Sequence, residues 1–139
     1  MIHSYYDTLK QVEEVFKAHP QVASVDAGDT LEFDIKKFDQ FPKVFIETLT
    51  SRYEGRWVYA MQLVVCDLVN NDKNDITDTL NNCHAILVDG VSQLNRLEML
   101  DPGQVSMIPI YNFQDTQVAG WRLDVDILTQ LGLECNYDL

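Results

Sequence analysis

The sequence predicts an α+β domain: a mainly antiparallel sheet with an N-terminal helix and one long helix packed on it, closed by a C-terminal β-hairpin. Three observations carry this. Apolar residues recur at helical spacing near the N-terminus and again through the middle of the chain. The run from Trp57 to Leu68, interrupted by Gln62 and Asp67, is largely apolar on both of its alternating faces. Two further alternating segments follow the second helix. With 139 residues and 46% hydrophobic composition, the chain is the size of one folding unit with an ordinary core, so residues 1–139 are read as a single domain.

The first helix spans Ser4 to Ala18. Tyr5, Leu9, Val12 and Phe16 share a face, Lys10, Glu13, Glu14 and Lys17 occupy the other, and His19-Pro20 ends it because the residue before proline leaves helical geometry. Val22 to Val25 is a short strand, followed by a turn at Asp26-Ala27-Gly28-Asp29. Leu31, Phe33 and Ile35 alternate with acids as a second extended segment, and Val44, Ile46 and Thr48 begin another strand, broken at Tyr53-Glu54-Gly55-Arg56. Trp57 to Leu68 follows. Because Trp57, Tyr59, Met61, Leu63 and Val65 point one way and Val58, Ala60, Gln62, Val64 and Cys66 the other, both faces are largely apolar and it is expected at the centre of the sheet. The long helix covers Ile76 to Leu97, with a stripe of Ile76, Leu80, Cys83, Leu87, Val91 and Leu94. Asn74 or Asp75 is its expected cap, and Asp78 complements its dipole. Gly90 inside it costs about 1 kcal/mol relative to alanine and so marks a close backbone contact. Asp101-Pro102-Gly103 is a turn. The closing hairpin pairs Val105–Phe113 with Trp121–Leu128, the second arm setting Trp121, Leu123, Val125 and Ile127 against an open face of Arg122, Asp124 and Asp126.

Charge narrows the function classes. The 22 acids against 10 bases leave −12, which excludes a protein built chiefly to grip nucleic acid or an anionic membrane. Residues 1–69 hold 11 acids and 7 bases, whereas 70–139 hold 11 acids and only Lys73, Arg96 and Arg122. The N-terminus carries no signal-peptide pattern, and no stretch has the length and apolarity of a membrane span. Cys66, Cys83 and Cys135 form neither a disulfide framework nor a zinc pattern, so free thiols in a reducing cytoplasm are expected.

No catalytic set stands out, and no enzyme activity or cofactor is expected. Cys83 and His84 are adjacent on a helix and diverge by about 100°, too far to share a proton. Asp67, Asp72, Asp75 and Asp78 are an acidic run without the alternation or central glycine of a calcium loop, and read as a solvated helix entry. Asp124 and Asp126 match an outward strand face as well as they match paired catalytic carboxylates. The glycines are isolated and form no phosphate loop, and His3, His19 and His84 are too scattered for a metal triad. Trp57 and Trp121, read as the first residues of their strands, and Phe113 are candidate core or assembly anchors.

Several features recur together along nearly the whole chain: the N-terminal helix ending in His19-Pro20, Val22 to Val25 leading to Gly28-Asp29, and Phe41-Pro42 before a strand. A long strand then ends in Cys66-Asp67, a long helix follows an Asp-rich loop, and Asn112-Phe113 precedes Val118-Ala119-Gly120-Trp121 and a terminal Asp124-Val125-Asp126-Ile127 strand. In this order the chain resembles small tail-completion, tail-terminator or neck proteins of tailed bacteriophages, particularly crAss-like and related phages of Bacteroidetes. The resemblance implies a structural virion subunit with a tail-terminator-like α+β fold. It would be assembled in the host cytoplasm into a homo-oligomeric ring of six-fold or twelve-fold symmetry between portal and tail, packing its sheet against a neighbour's helix. Partners would be further copies, the portal-adaptor, neck or tail rings above and below, and DNA passing through without specific binding. Asp72, Asp75, Asp78, Asp115, Asp124 and Asp126 are then candidates to face the channel or adjoining rings, where carboxylates within about 8 Å of the phosphates repel them at physiological salt. A soluble adaptor unrelated to phage and a small ligand-binding or enzymatic module are the alternatives.

Overall fold

The computed structural model describes residues 4–28, 40–69, 73–101, 105–111 and 118–129. Their elements run α1 (Ser4–Lys17), β1 (Ser24–Ala27), β2 (Lys43–Tyr53), β3 (Trp57–Leu68), α2 (Lys73–Arg96), β4 (Ser106–Tyr111) and β5 (Val118–Leu128). This is the α+β architecture expected. The five strands lie in the order β1-β2-β3-β5-β4. β2–β3, β3–β5 and β4–β5 are antiparallel, whereas β1 runs parallel to β2. The parallel pair was not expected from the sequence. The alternating segment Leu31–Ile35 lies outside the described residues.

β3 is central, as its two apolar faces predicted, and the odd-numbered residues Tyr59, Met61, Leu63 and Val65 face the helices. They pack with Val44 and Ile46 of β2, Leu123, Val125 and Ile127 of β5, Val12 and Phe16 of α1, and Cys83, Ile86, Leu87 and Leu94 of α2. Most of these side chains are fully buried, which places the core between the sheet and the helix layer. The helical stripes read from the sequence are the faces that pack. Ile86, absent from that stripe, also turns inward.

Two glycines permit close approach. A Cβ on Gly90 would sit 2.3 Å from the Phe16 ring, so α1 crosses α2 at the predicted contact. A Cβ on Gly120 would lie 1.9 Å from the Val65 carbonyl oxygen, so β5 can lie against β3 only with glycine there. The same crossing is tied by His19, whose Nε2 is 2.8 Å from a carboxylate oxygen of Asp89, while its Nδ1 accepts the Gln21 N–H.

α2 begins at Lys73, so Asn74 and Asp75 lie in its first turn and neither is its cap; the cap position precedes the helix, outside the described residues. Its end uses no glycine. Glu98 takes φ 58°, and the Met99 N–H reaches back to the Leu94 carbonyl at 3.0 Å, closing a Schellman motif with Met99 buried beneath.

Candidate functional site

On the face of the sheet opposite the helices, β-register sets side chains in straight rows. Glu47, Gln62, Asp124 and Ser106 cross four strands in one row; Phe45, Val64, Arg122 and Ile108 form the next. Beyond them Phe45, Val64, Cys66 and Val118 are buried together, with Phe41 and Ile110 against them. Lys43, also fully buried, pairs with Asp26 at this end. The face is therefore divided: apolar and covered toward Val118, polar and accessible toward Leu128.

The polar half holds Asp124 and Asp126, and here the expected open acidic face needs correction. Asp126 is only 16% exposed and accepts a 2.9 Å hydrogen bond from Arg52 Nη2, the same guanidinium that donates from Nε to Glu54 at 2.7 Å. Asp124, 40% exposed, is held at 3.4 Å by Arg122 and 3.5 Å by Gln62. Arg122 reaches Asp124 along the same face of β5, as the alternation placed it, whereas Arg52 comes over from β2, two strands away, which a single-strand alternation does not register. Of the candidate channel acids, Asp126 is thus largely neutralised within its own subunit, while Asp124 is paired more loosely and stays half exposed. Asp78 is exposed and has no ion pair among the described residues. Asp75 lies in the first turn of α2, and Asp72, Asp115 and Phe113 lie outside the described residues.

The two tryptophans have different surroundings. Trp121 is the fourth residue of β5 rather than its first, because the strand begins at Val118. Its indole N–H donates to the Leu80 carbonyl at 2.8 Å and its ring meets His84 edge-on at 5.0 Å, so it clamps β5 to α2 inside the subunit. Trp57 opens β3, is 40% exposed, and contacts Tyr53 edge-on across the hairpin at 5.4 Å. Of the assembly anchors with described side chains, Trp57 faces outward and Trp121 is spent on the fold.

Several outward residues were not singled out from the sequence. Leu49 is the extra residue at the β2 bulge, 52% exposed. With Val105, Ser106, Ala60, Asp124 and Asp126 it lines a surface groove of about 320 Å³. Ile108 (43%) continues this exposed apolar border along β4, while Tyr111 (59%), opposite Ala119, projects on the helix side of the same strand. The outer face of α2 presents Asn81, Asn82, Ala85, Val88, Ser92, Gln93 and Asn95, with Asp89 the only charge exposed between residues 79 and 95. Segment 105–111 also carries no charge; in a chain at −12 that depletion was the available signal.

Reactive chemistry is muted. Burial pushes the Cys83 and Cys66 thiols up to about 12, leaving both protonated and inert at neutral pH. Among the described residues no group of three or more His, Cys, Asp or Glu is placed to hold a metal ion, and no helix is long and apolar enough to cross a membrane. No protein-family model and no curated protein matches the chain.

Proposed function

We propose that the chain is a structural virion subunit that assembles head to tail into a ring at the neck or tail of a tailed phage, between portal and tail. One observation carries the reading beyond the resemblance: the subunit has two unlike, charge-poor surfaces on opposite sides. One is the outer face of α2 around Ala85 and Val88; the other is the edge strand β4, where segment 105–111 carries no charge and Val105 and Ile108 are exposed. Interface centres are depleted in charge, and two different complementary patches generate a ring when the rotation between copies closes. In a chain of net charge −12, self-association is opposed everywhere except where charge is absent. The ring would join head to tail and leave a central passage for DNA, with Asp78 a stronger contributor to repelling phosphate than the arginine-paired Asp124 and Asp126.

Native mass spectrometry and negative-stain imaging of the purified chain, alone and with virion partners, test this. Closed rings of six or twelve copies are expected, and Val88→Asp or Ile108→Asp should reduce them to monomers that keep their circular dichroism. A chain that stays monomeric even beside virion partners, or enters only as a single copy in a mixed complex, overturns the ring and favours the adaptor.

A further inference from the structure

β4 ends the sheet on the β5 side, and its side chains are unusually bare for an edge strand. Ser106, Ile108, Pro109 and Tyr111 are exposed, as is Val105 before them. Edge strands in soluble proteins are normally guarded by charge, because their unpaired N–H and C=O groups template further strands. Segment 105–111 has none.

Its one guard is Pro109, and the register shows what that residue blocks. Pro109 lies opposite Trp121, and a proline within a ladder sits where its missing N–H faces away from the partner strand. By alternation the backbone groups of Met107 and Tyr111 also face outward, whereas Ile108 and Ile110 bond to β5. Two copies of β4 placed antiparallel about their middle would set a proline from each against the other and lose hydrogen bonds on both sides. Pro109 disfavours self-pairing, yet leaves the Met107 and Tyr111 donors and three outward carbonyls for a different strand.

We propose that the β4 edge is a strand-addition site for an extended segment of another protein, one that alternates apolar residues with a lysine or arginine. The basic residue is specified by position. A side chain opposite Ser106 on the open face projects across β4 toward Asp124, in the groove of about 320 Å³. The added strand and β5 are two strand spacings, about 9.6 Å, apart, a gap that a lysine or arginine crossing β4 beside Val105 closes together with the Asp124 side chain reaching toward it. The Asp124 carboxylate is 40% exposed and held only by contacts of 3.4 and 3.5 Å, so it can accept a further donor. Two residues on, an apolar side chain meets Ile108. The proposal rests on the open β4 edge and not on the ring, whose contact would share Ile108 with the added strand.

The probe is the synthetic peptide acetyl-Thr-Lys-Val-Ile-Val-Lys-Thr-amide, with a copy in which both lysines are glutamate and a copy N-methylated on alternate residues. Amide hydrogen exchange of the full chain is the readout. The lysine peptide should slow exchange at Met107 and Tyr111 at least tenfold and spare Ile108 and Ile110. The glutamate peptide should bind at least tenfold more weakly, Asp124→Asn should weaken the lysine peptide about fivefold, and N-methylation should abolish protection. No protection at millimolar peptide, protection away from β4, binding that survives N-methylation, or equal binding of the glutamate peptide overturns the proposal. The peptide comparisons need no variant to fold.

Discussion

The two faces of the sheet are built on different terms. The helix-covered face is a continuous apolar layer in which β2, β3 and β5 each supply alternate residues to α1 and α2, and almost every side chain is fully buried. The opposite face is stitched from ion pairs over its accessible half and gathers a small apolar cluster only toward Val118. Stability should therefore reside on the first face and recognition on the second, since ordered apolar burial dominates folding energy while exposed ion pairs contribute little.

The sharpest way to break that contrast is to delete one large side chain from each face. Phe16→Ala empties the space against Gly90 and should cost about 3–5 kcal/mol, whereas Ile108→Ala should stay within about 0.5 kcal/mol. Urea denaturation of both variants measures the difference. Equal losses would mean that the open face belongs to the core.

Trp121 tests how firmly the helix layer is clamped to β5. Trp121→Ala should destabilise by about 3–5 kcal/mol through lost volume, and Trp121→Phe by about 1–2 kcal/mol, because the bond to the Leu80 carbonyl and part of the ring's packing disappear while the rest stays filled. Thermal melts of the pair separate packing from hydrogen bonding. If both variants lose the same amount, the indole N–H rather than the ring holds the helix.

How much of this was legible follows from what each signal depends on. Local periodicity placed α1, β3 and α2 nearly to their ends, because a buried stripe or a two-sided apolar strand reflects the immediate neighbours of each residue. Gly90 was likewise readable as a close contact, since a glycine that weakens a helix needs a packing reason, and Phe16 supplies it. What escaped depends on residues far apart in sequence. The pairing of Arg52 with Asp126 spans 74 positions and converts an apparently solvated acid into a neutralised one. The parallel β1–β2 pair leaves no trace in either strand alone. How α2 is capped at its end, though not where it ends, was hidden because Glu98 adopts the left-handed conformation where glycine is the usual marker. Trp121 was singled out for its size, but whether it anchors the fold or a partner is decided by the position of Leu80, 41 residues away.

On the open face, the Arg52–Asp126 pair offers a smaller test. Arg52→Met removes the guanidinium and leaves the mostly buried Asp126 carboxylate without its 2.9 Å partner, so it should lower the urea midpoint, though less than Trp121→Ala. Adding Asp126→Leu should restore much of the loss, because an apolar pair needs no compensating charge. A double variant worse than the single would show that Asp126 is held chiefly by other groups.

The smallest effect is expected where the two faces meet the end of β3, at Asp67. Its carboxyl is held above the usual carboxylate range chiefly by burial, offset in part by the Leu68 N–H that donates to it at 2.8 Å. An acid whose pKa is raised on folding binds its proton more tightly in the folded state. The stability it contributes is thus present while it is protonated, below the unfolded value of about 3.9, and is lost as pH rises through its higher folded value. At pH 7 the ionised side chain works against the fold. Asp67→Asn should therefore gain stability at pH 7, by less than about 1 kcal/mol because the group is half in solvent, and gain almost nothing at pH 3. Urea unfolding at the two pH values measures this directly. A gain independent of pH would assign the effect to packing around Leu68 rather than to the charge, and a loss at pH 7 would mean that the Leu68 N–H outweighs burial at this end of the sheet.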